Sequence, residues 1–177
     1  MSTAKAIGAK AIGAKAMGAK TDAGAAVPGL RLDAYMPYRL SVASNAVSRL
    51  IARAYEDRFA LTIPQWRLIC VLAEDGPSAQ QAIVTRTAMD KVTVSRAAQG
   101  LVRRRLVSRT VHEIDGRSHR LILTPEGRGL HAVISPLALA YEANLLLGLD
   151  PQDAQQLSRI LQQLESAAKS LFAQGVD

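Results

Sequence analysis

Between Asp90 and Thr124 the chain runs from a capped, polar-faced helical segment straight into two β-branched runs, and few folds accommodate that order. From Asp90 to about Arg104, Val94, Ala98, Leu101 and Val102 recur on one helical face. The other face shows Thr93, Arg96, Gln99, Gly100 and Arg103. Asp90 is a suitable N-cap, since a carboxylate accepts from the unpaired amides of a first helical turn. Leu106–Ile114 and Ser118–Thr124 then read as strands, and Asp115–Gly116 between them is a strong hairpin signal.

Helices surround this unit. Leu40, Ala43, Val47, Leu50, Ile51 and Ala54 recur at three- and four-residue spacing, which predicts an amphipathic helix from Pro37 to about Phe59. Thr62 and Pro64 mark a second start, with a short helix over Gln65–Ala73 containing Trp66, Ile69, Cys70 and Leu72. Asp75–Gly76–Pro77–Ser78 is a turn, and Ser78 to about Ala88 reads as a third short helix. Thr124–Pro125–Glu126 opens a long helix ending near Gly148, and Asp150–Pro151–Gln152–Asp153 opens the last. The fold class is mostly α with a small β-hairpin wing: a winged helix-turn-helix at 61–124 inside a helical dimerisation region at 36–60 and 125–172.

Charge is unevenly placed. The 177 residues carry a formal net charge of +7 with a pI near 10. Residues 86–128 hold ten Lys or Arg against four acids, whereas 129–177 hold two against five. A basic middle and an acidic end point to a polyanionic partner for the middle. Seven aromatic residues are too few for a single-strand binder that stacks bases on rings. One cysteine excludes an internal disulfide, and no run of 18 apolar residues exists to span a membrane. A cytoplasmic protein with no membrane partner is expected.

Residues 1–29 form a separate region. The pentads AIGAK, AIGAK and AMGAK repeat over 6–20, with glycines that disfavour helix and lysines that would scatter around one. A disordered basic tail is expected, ending at Val27–Pro28–Gly29 and adding weak, sequence-independent DNA affinity. Gly13, Gly18, Lys20 and Thr21 approach a phosphate-loop pattern, but Ala19 intrudes and no strand or amphipathic helix flanks it.

In a winged helix-turn-helix the second helix enters the major groove, here 90–104. The candidate DNA contacts are Lys91, Thr93, Ser95, Arg96, Gln99 and Arg103 on that helix, and Arg109, Asp115, Arg117 and His119 on the wing. Arg96 is placed to pair a guanine, Arg117 to enter a narrow minor groove with Asp115 orienting it. Arg103, Arg104, Arg105 and Arg109 read as phosphate contacts or solvated residues. The stripe Leu157, Ile160, Leu161, Leu164, Ala168 and Leu171 has little left to cover within one chain, which implies a homodimer.

Four stretches resemble the MarR family of transcriptional regulators: Leu61–Trp66, Val92–Arg96, Leu106–Arg109, and Asp115–Arg117 with Leu121–Thr124 and Gly127. The resemblance covers about 35–172. It implies an obligate dimer on a palindromic double-stranded operator, usually repressing nearby genes. It also implies release by a small phenolic or aromatic carboxylate effector, bound between the DNA lobe and the dimerisation helices. The family usually has glycine where this chain has Arg105, so the helix end is expected to differ here at a cost of roughly 1 kcal/mol. Gly100 is a second oddity, suited to close approach or bending.

The candidate effector residues are Arg39, Ser41, Asn45, Arg49 and Trp66, a polar stripe on the first helix with a ring to wall it. Cys70, between Ile69 and Val71, reads as core rather than as a redox sensor. His112, His119 and His131 show no metal-ligand spacing, and no cofactor is implied. No nucleophile–base set is visible, so an enzyme is not expected. The alternative reading is an effector-independent architectural DNA binder with a basic tail.

Overall fold

The computed structural model describes residues 29–111 and 119–175. The expected tail at 1–28 and the wing-tip residues Asp115 and Arg117 lie outside the described residues. Backbone contacts divide the chain into two units, Met1–Arg39 and Leu40–Asp177. In the first unit, Leu32–Ala34 forms one 3₁₀ turn and every described residue is exposed.

Among the described residues seven α-helices and three strands follow. Helix α1, Met36–Ala52, stops earlier than the apolar spacing suggests. The amides of Arg53, Ala54 and Tyr55 turn back to the carbonyls of Leu50, Ile51 and Ala52, tightening the chain before α2, Glu56–Phe59. The reason is burial: Ala54 and Tyr55 both enter the core at this break, which a continuous helix would not allow. Helix α3, Ile63–Glu74, starts at a capping box in which the Gln65 amide donates to Thr62 Oγ1 and the Thr62 amide to Gln65 Oε1.

Ser78–Ala79, expected as helix, instead forms strand β1, and α4 follows at Gln80–Thr87. Helix α5 is Lys91–Arg103, and the hairpin is β2, Val107–Val111, with β3, His119–Leu123. The sheet therefore has three strands in the order β1-β3-β2, all neighbours antiparallel. Ser78 faces Leu121 while Val107 faces Leu123, so β1 covers an edge of β3 that a bare hairpin would leave unpaired. Helices α6, Pro125–Leu146, and α7, Pro151–Ala173, start where Thr124 and Asp150 accept from the backbone amides of Gly127 and Gln152. No single described helix is long and apolar enough to cross a membrane.

The core joins Leu61, Leu68, Ile69, Leu72, Ile83, Val94, Ala98, Leu101, Val107, Leu121, Leu123 and Ile134. It lies between α3, α4, α5, the sheet and the first half of α6. Helix α7 contributes no buried residue.

The end of α5 is closed in a Schellman motif. The Leu106 amide reaches the Leu101 carbonyl at 3.0 Å and the Arg105 amide reaches Val102 at 2.9 Å. Arg105 adopts φ 59°, the left-handed region. The helix thus ends as a glycine would end it, although an arginine stands there. The Thr124 hydroxyl donates to the Arg105 carbonyl at 2.8 Å, and the Thr124 amide donates to the Leu106 carbonyl at 3.1 Å. Gly127 lies against that same Leu106 carbonyl, so a methyl group on it would overlap the oxygen. Gly100 also serves close approach, leaving room for the Gln65 side-chain amide.

Three outcomes follow for urea-unfolding midpoints. Arg105→Gly is expected to stabilise the protein by about 0.5–1 kcal/mol, because glycine adopts positive φ without Cβ strain. Gly127→Ala is expected to destabilise by about 1–3 kcal/mol through forced overlap with backbone. Gly129→Ala, which meets nothing within 4 Å, is expected to gain up to roughly 1 kcal/mol in helix propensity.

Candidate nucleic-acid interface

Helix α5 has one buried face and one open one. Val94, Ala97, Ala98, Gly100 and Leu101 are buried, which fixes the helix against α3. Lys91, Val92, Arg96, Gln99 and Arg103 are exposed. Arg96 stands four residues after Val92 and three before Gln99, so these side chains share a face. Its N-terminal end is held by Asp90, whose carboxylate accepts from the Thr93 amide at 2.8 Å and the Thr93 hydroxyl at 2.6 Å. Those bonds hold the Asp90 carboxyl below its ordinary range. Thr93 is half-buried with its hydroxyl proton committed to the cap. Ser95 is also half-buried, and its hydroxyl oxygen accepts from the Gln99 amide at 3.3 Å.

The wing continues the open surface. Arg109 and His119 are exposed, at register positions opposite Leu121 and Val111. Alternation puts both on the hairpin face that carries the buried Val107, Leu121 and Leu123 nearer the core. Arg120, which the sequence reading passed over, is exposed on the opposite face, paired with Thr110.

Arg104 has a different task from the phosphate contact or solvated role expected of it. Its guanidinium donates to the Phe59 carbonyl at 2.7 Å and the Ala60 carbonyl at 2.9 Å. Ala60 has φ 47° at the end of α2, and Arg104 satisfies the carbonyls that this short helix leaves open. Arg103 remains exposed.

Of the residues singled out for an effector, Arg39, Ser41, Asn45 and Arg49 are all exposed on α1. Ser48, on the same stripe, accepts a 3.4 Å hydrogen bond from the Arg67 guanidinium of α3. Trp66 is buried, 8% exposed. Tyr55 stacks on it at 5.4 Å and His131 at 5.6 Å between ring centroids. It lines a hollow with Arg67, Cys70, Glu74 and Arg86. Sequence reasoning overlooked Arg67 and His131, because the contacts that define them come from other helices.

Burial, reinforced by the Glu74 charge, pushes the Cys70 thiol up to about 11. Burial likewise pushes the Tyr55 phenol up to about 12, with Glu56 adding to it. Among the described residues no cluster of three or more His, Cys, Asp or Glu could hold a metal ion.

Residues 61–118, about a third of the chain, match the family model described as MarR family. That segment is similar to the MarR family; it begins just before α3 and takes in α4, α5 and β2. A probable transcriptional regulator from Pseudomonas aeruginosa is 29% identical, with a TM-score of 0.67 over 76% of this chain and 99% of that one. A MarR/EmrR family transcriptional regulator from Acinetobacter sp. ADP1 is 25% identical, with a TM-score of 0.73 over 80% and 99%. At 24% identity, Bordetella bronchiseptica BpsR shares the fold, with a TM-score of 0.71 over 77% and 96%; its DNA binding is regulated by 6-hydroxynicotinic acid. No curated protein matches the chain by sequence. The fold is mostly helical with a small antiparallel sheet, as in these solved transcriptional regulators.

A thiol at about 11 is almost wholly protonated near neutral pH, and its reactivity rises only as pH climbs toward that value. At pH 8, alkylation of Cys70 by iodoacetamide is expected to run about a hundredfold slower than that of an ordinary cysteine. Mass spectrometry of the time course measures it, and a rate matching free cysteine contradicts the half-buried, protonated thiol.

Proposed function

We propose that this protein is a dimeric, ligand-responsive repressor that binds a palindromic DNA operator in the cytoplasm. The observation that carries the reading is the open face of α5, where Lys91, Arg96, Gln99 and Arg103 project from a helix whose other face is packed into the core. The planar guanidinium of Arg96 can pair with O6 and N7 of a guanine, a contact of about 1–3 kcal/mol. Lys91 and Arg103 flank it as phosphate partners. Arg109 and His119 extend the contact along the backbone, with Arg117 and Asp115 assigned to the wing tip from the sequence alone.

Dimerisation is supported by the apolar surface outside the core. Leu157, Ile160, Leu161, Leu164 and Leu171 of α7 are 39–53% exposed, and Phe172 is 90% exposed. A groove of about 670 Å³ between α1, α6 and α7 is lined by Leu40, Val47, Ile51, Leu145, Leu157 and Leu161. Apolar surface on this scale marks an interface. A two-fold pairing through it sets two α5 helices to read one palindrome, about one DNA turn apart.

For the effector, the α1 stripe of Ser41, Asn45 and Arg49 provides polar partners, and the Ser48–Arg67 bond draws α3 to the same stripe. Arg49 and Arg67 suit a carboxylate, and Trp66 suits a small aromatic ring. On the sequence reading Arg39 supplies a further guanidinium. The reading is supported by BpsR, which has this fold and whose DNA binding is regulated by 6-hydroxynicotinic acid.

Arg96→Ala is expected to weaken binding to the selected operator about tenfold or more while leaving affinity for random duplex nearly unchanged. Gel-shift titration at fixed salt measures both. Equal loss on the two DNAs makes Arg96 a phosphate contact, and a uniform footprint without a discrete site favours the architectural reading.

A further inference from the structure

Val92 is the one apolar side chain of α5 left exposed, at 55% of its surface. Every other apolar residue of that helix is buried or, for Val102, half-buried. Val92 lies two residues from Val94, about 200° around the helix, so it cannot join the core stripe. Helix formation gives no reason for it, because a β-branched residue is a poorer helix former than the lysine or arginine found elsewhere on this face. Nor does it take part in the cap, which is built from Asp90 and Thr93.

Its position is informative. Val92 is in the first turn of α5, beside Lys91 and one turn before Arg96, on the face open to solvent. The major-groove edges of the four base pairs carry one apolar group, the C5-methyl of thymine. Valine in a helix is held close to one χ1 rotamer, so its methyls stand in a fixed place and lose little freedom on contact. Of the hydroxyls beside it, Thr93 spends its proton on Asp90, and half-buried Ser95 accepts from the Gln99 side-chain amide.

We propose that Val92 is a specificity-determining residue that packs on a thymine methyl in each operator half-site, within a few base pairs of the guanine assigned to Arg96. This rests on the reading of α5 as the major-groove helix given above, and it adds a base preference that the basic residues cannot supply. The valine selects thymine over cytosine, whose C5 carries only hydrogen.

The test uses the full-length protein and the tightest duplex selected from a random pool. Each thymine in the footprint is replaced singly by deoxyuridine, which removes the methyl and keeps every hydrogen-bonding group. One position per half-site is expected to lose about three- to fivefold in affinity, the worth of one buried methyl. In Val92→Ala the penalty at that position is expected to vanish, while Val92→Ile keeps it. Thermal unfolding is expected to match the parent for Val92→Ile and to match or slightly exceed it for Val92→Ala, since the side chain is more than half exposed and alanine favours helix. A discrete operator whose affinity tolerates every deoxyuridine, or a penalty that persists in Val92→Ala, overturns the valine contact and leaves the Arg96 reading intact. Failure to select any discrete duplex overturns both.

Discussion

The Leu106 carbonyl is the joint on which this structure depends. The Leu106 amide closes the end of α5, while its carbonyl receives the Thr124 amide that begins α6 and packs against Gly127 too tightly for any side chain there. The Thr124 hydroxyl accepts from the Gly127 amide and donates to the Arg105 carbonyl, so one side chain caps α6 and ties it to the turn after α5. Helices α5 and α6 are therefore coupled directly through backbone hydrogen bonding. Arg104 adds a second tie at the same end, reaching from α5 to the last carbonyls of α2.

Much of this was legible in the sequence. Caps and turns are local chemistry, so Thr62, Asp90, Thr124 and Asp150 marked their helix starts correctly. The paired β-branched runs gave the hairpin, because alternation at period two is a property of the strand itself. What failed was long-range. A two-residue strand at Ser78–Ala79 has no pattern of its own and exists only because β3 offers an edge. The break after Ala52 falls inside an intact helical periodicity and is decided by burial of Tyr55 against Trp66.

The site divides along the same line. Outward-facing residues of α5 followed from helix geometry, which also held the clue to Val92, a valine off its own apolar stripe. Arg104 did not follow, since its neighbours in sequence are arginines that remain exposed and its partners lie 44 and 45 residues away. Trp66 was correctly marked as special, yet its surroundings come from three separate helical segments: Tyr55 just after α1, Trp66 in α3 and His131 in α6. Arg105 shows the opposite failure. Its residue type argued against a left-handed turn, and the demand of the Leu106 joint prevailed over that preference.

Clustering both ties at one end of α5 makes the winged lobe a lever with its pivot at residues 104–106. The 13 residues of α5 extend about 20 Å from that pivot, so a tilt of roughly 6° sweeps the Lys91 end through about 2 Å. Hydrogen bonds to base edges fail over such a displacement. In the proposed dimer, a tilt of α5 of this size is thus sufficient to change whether two such helices match one face of a duplex.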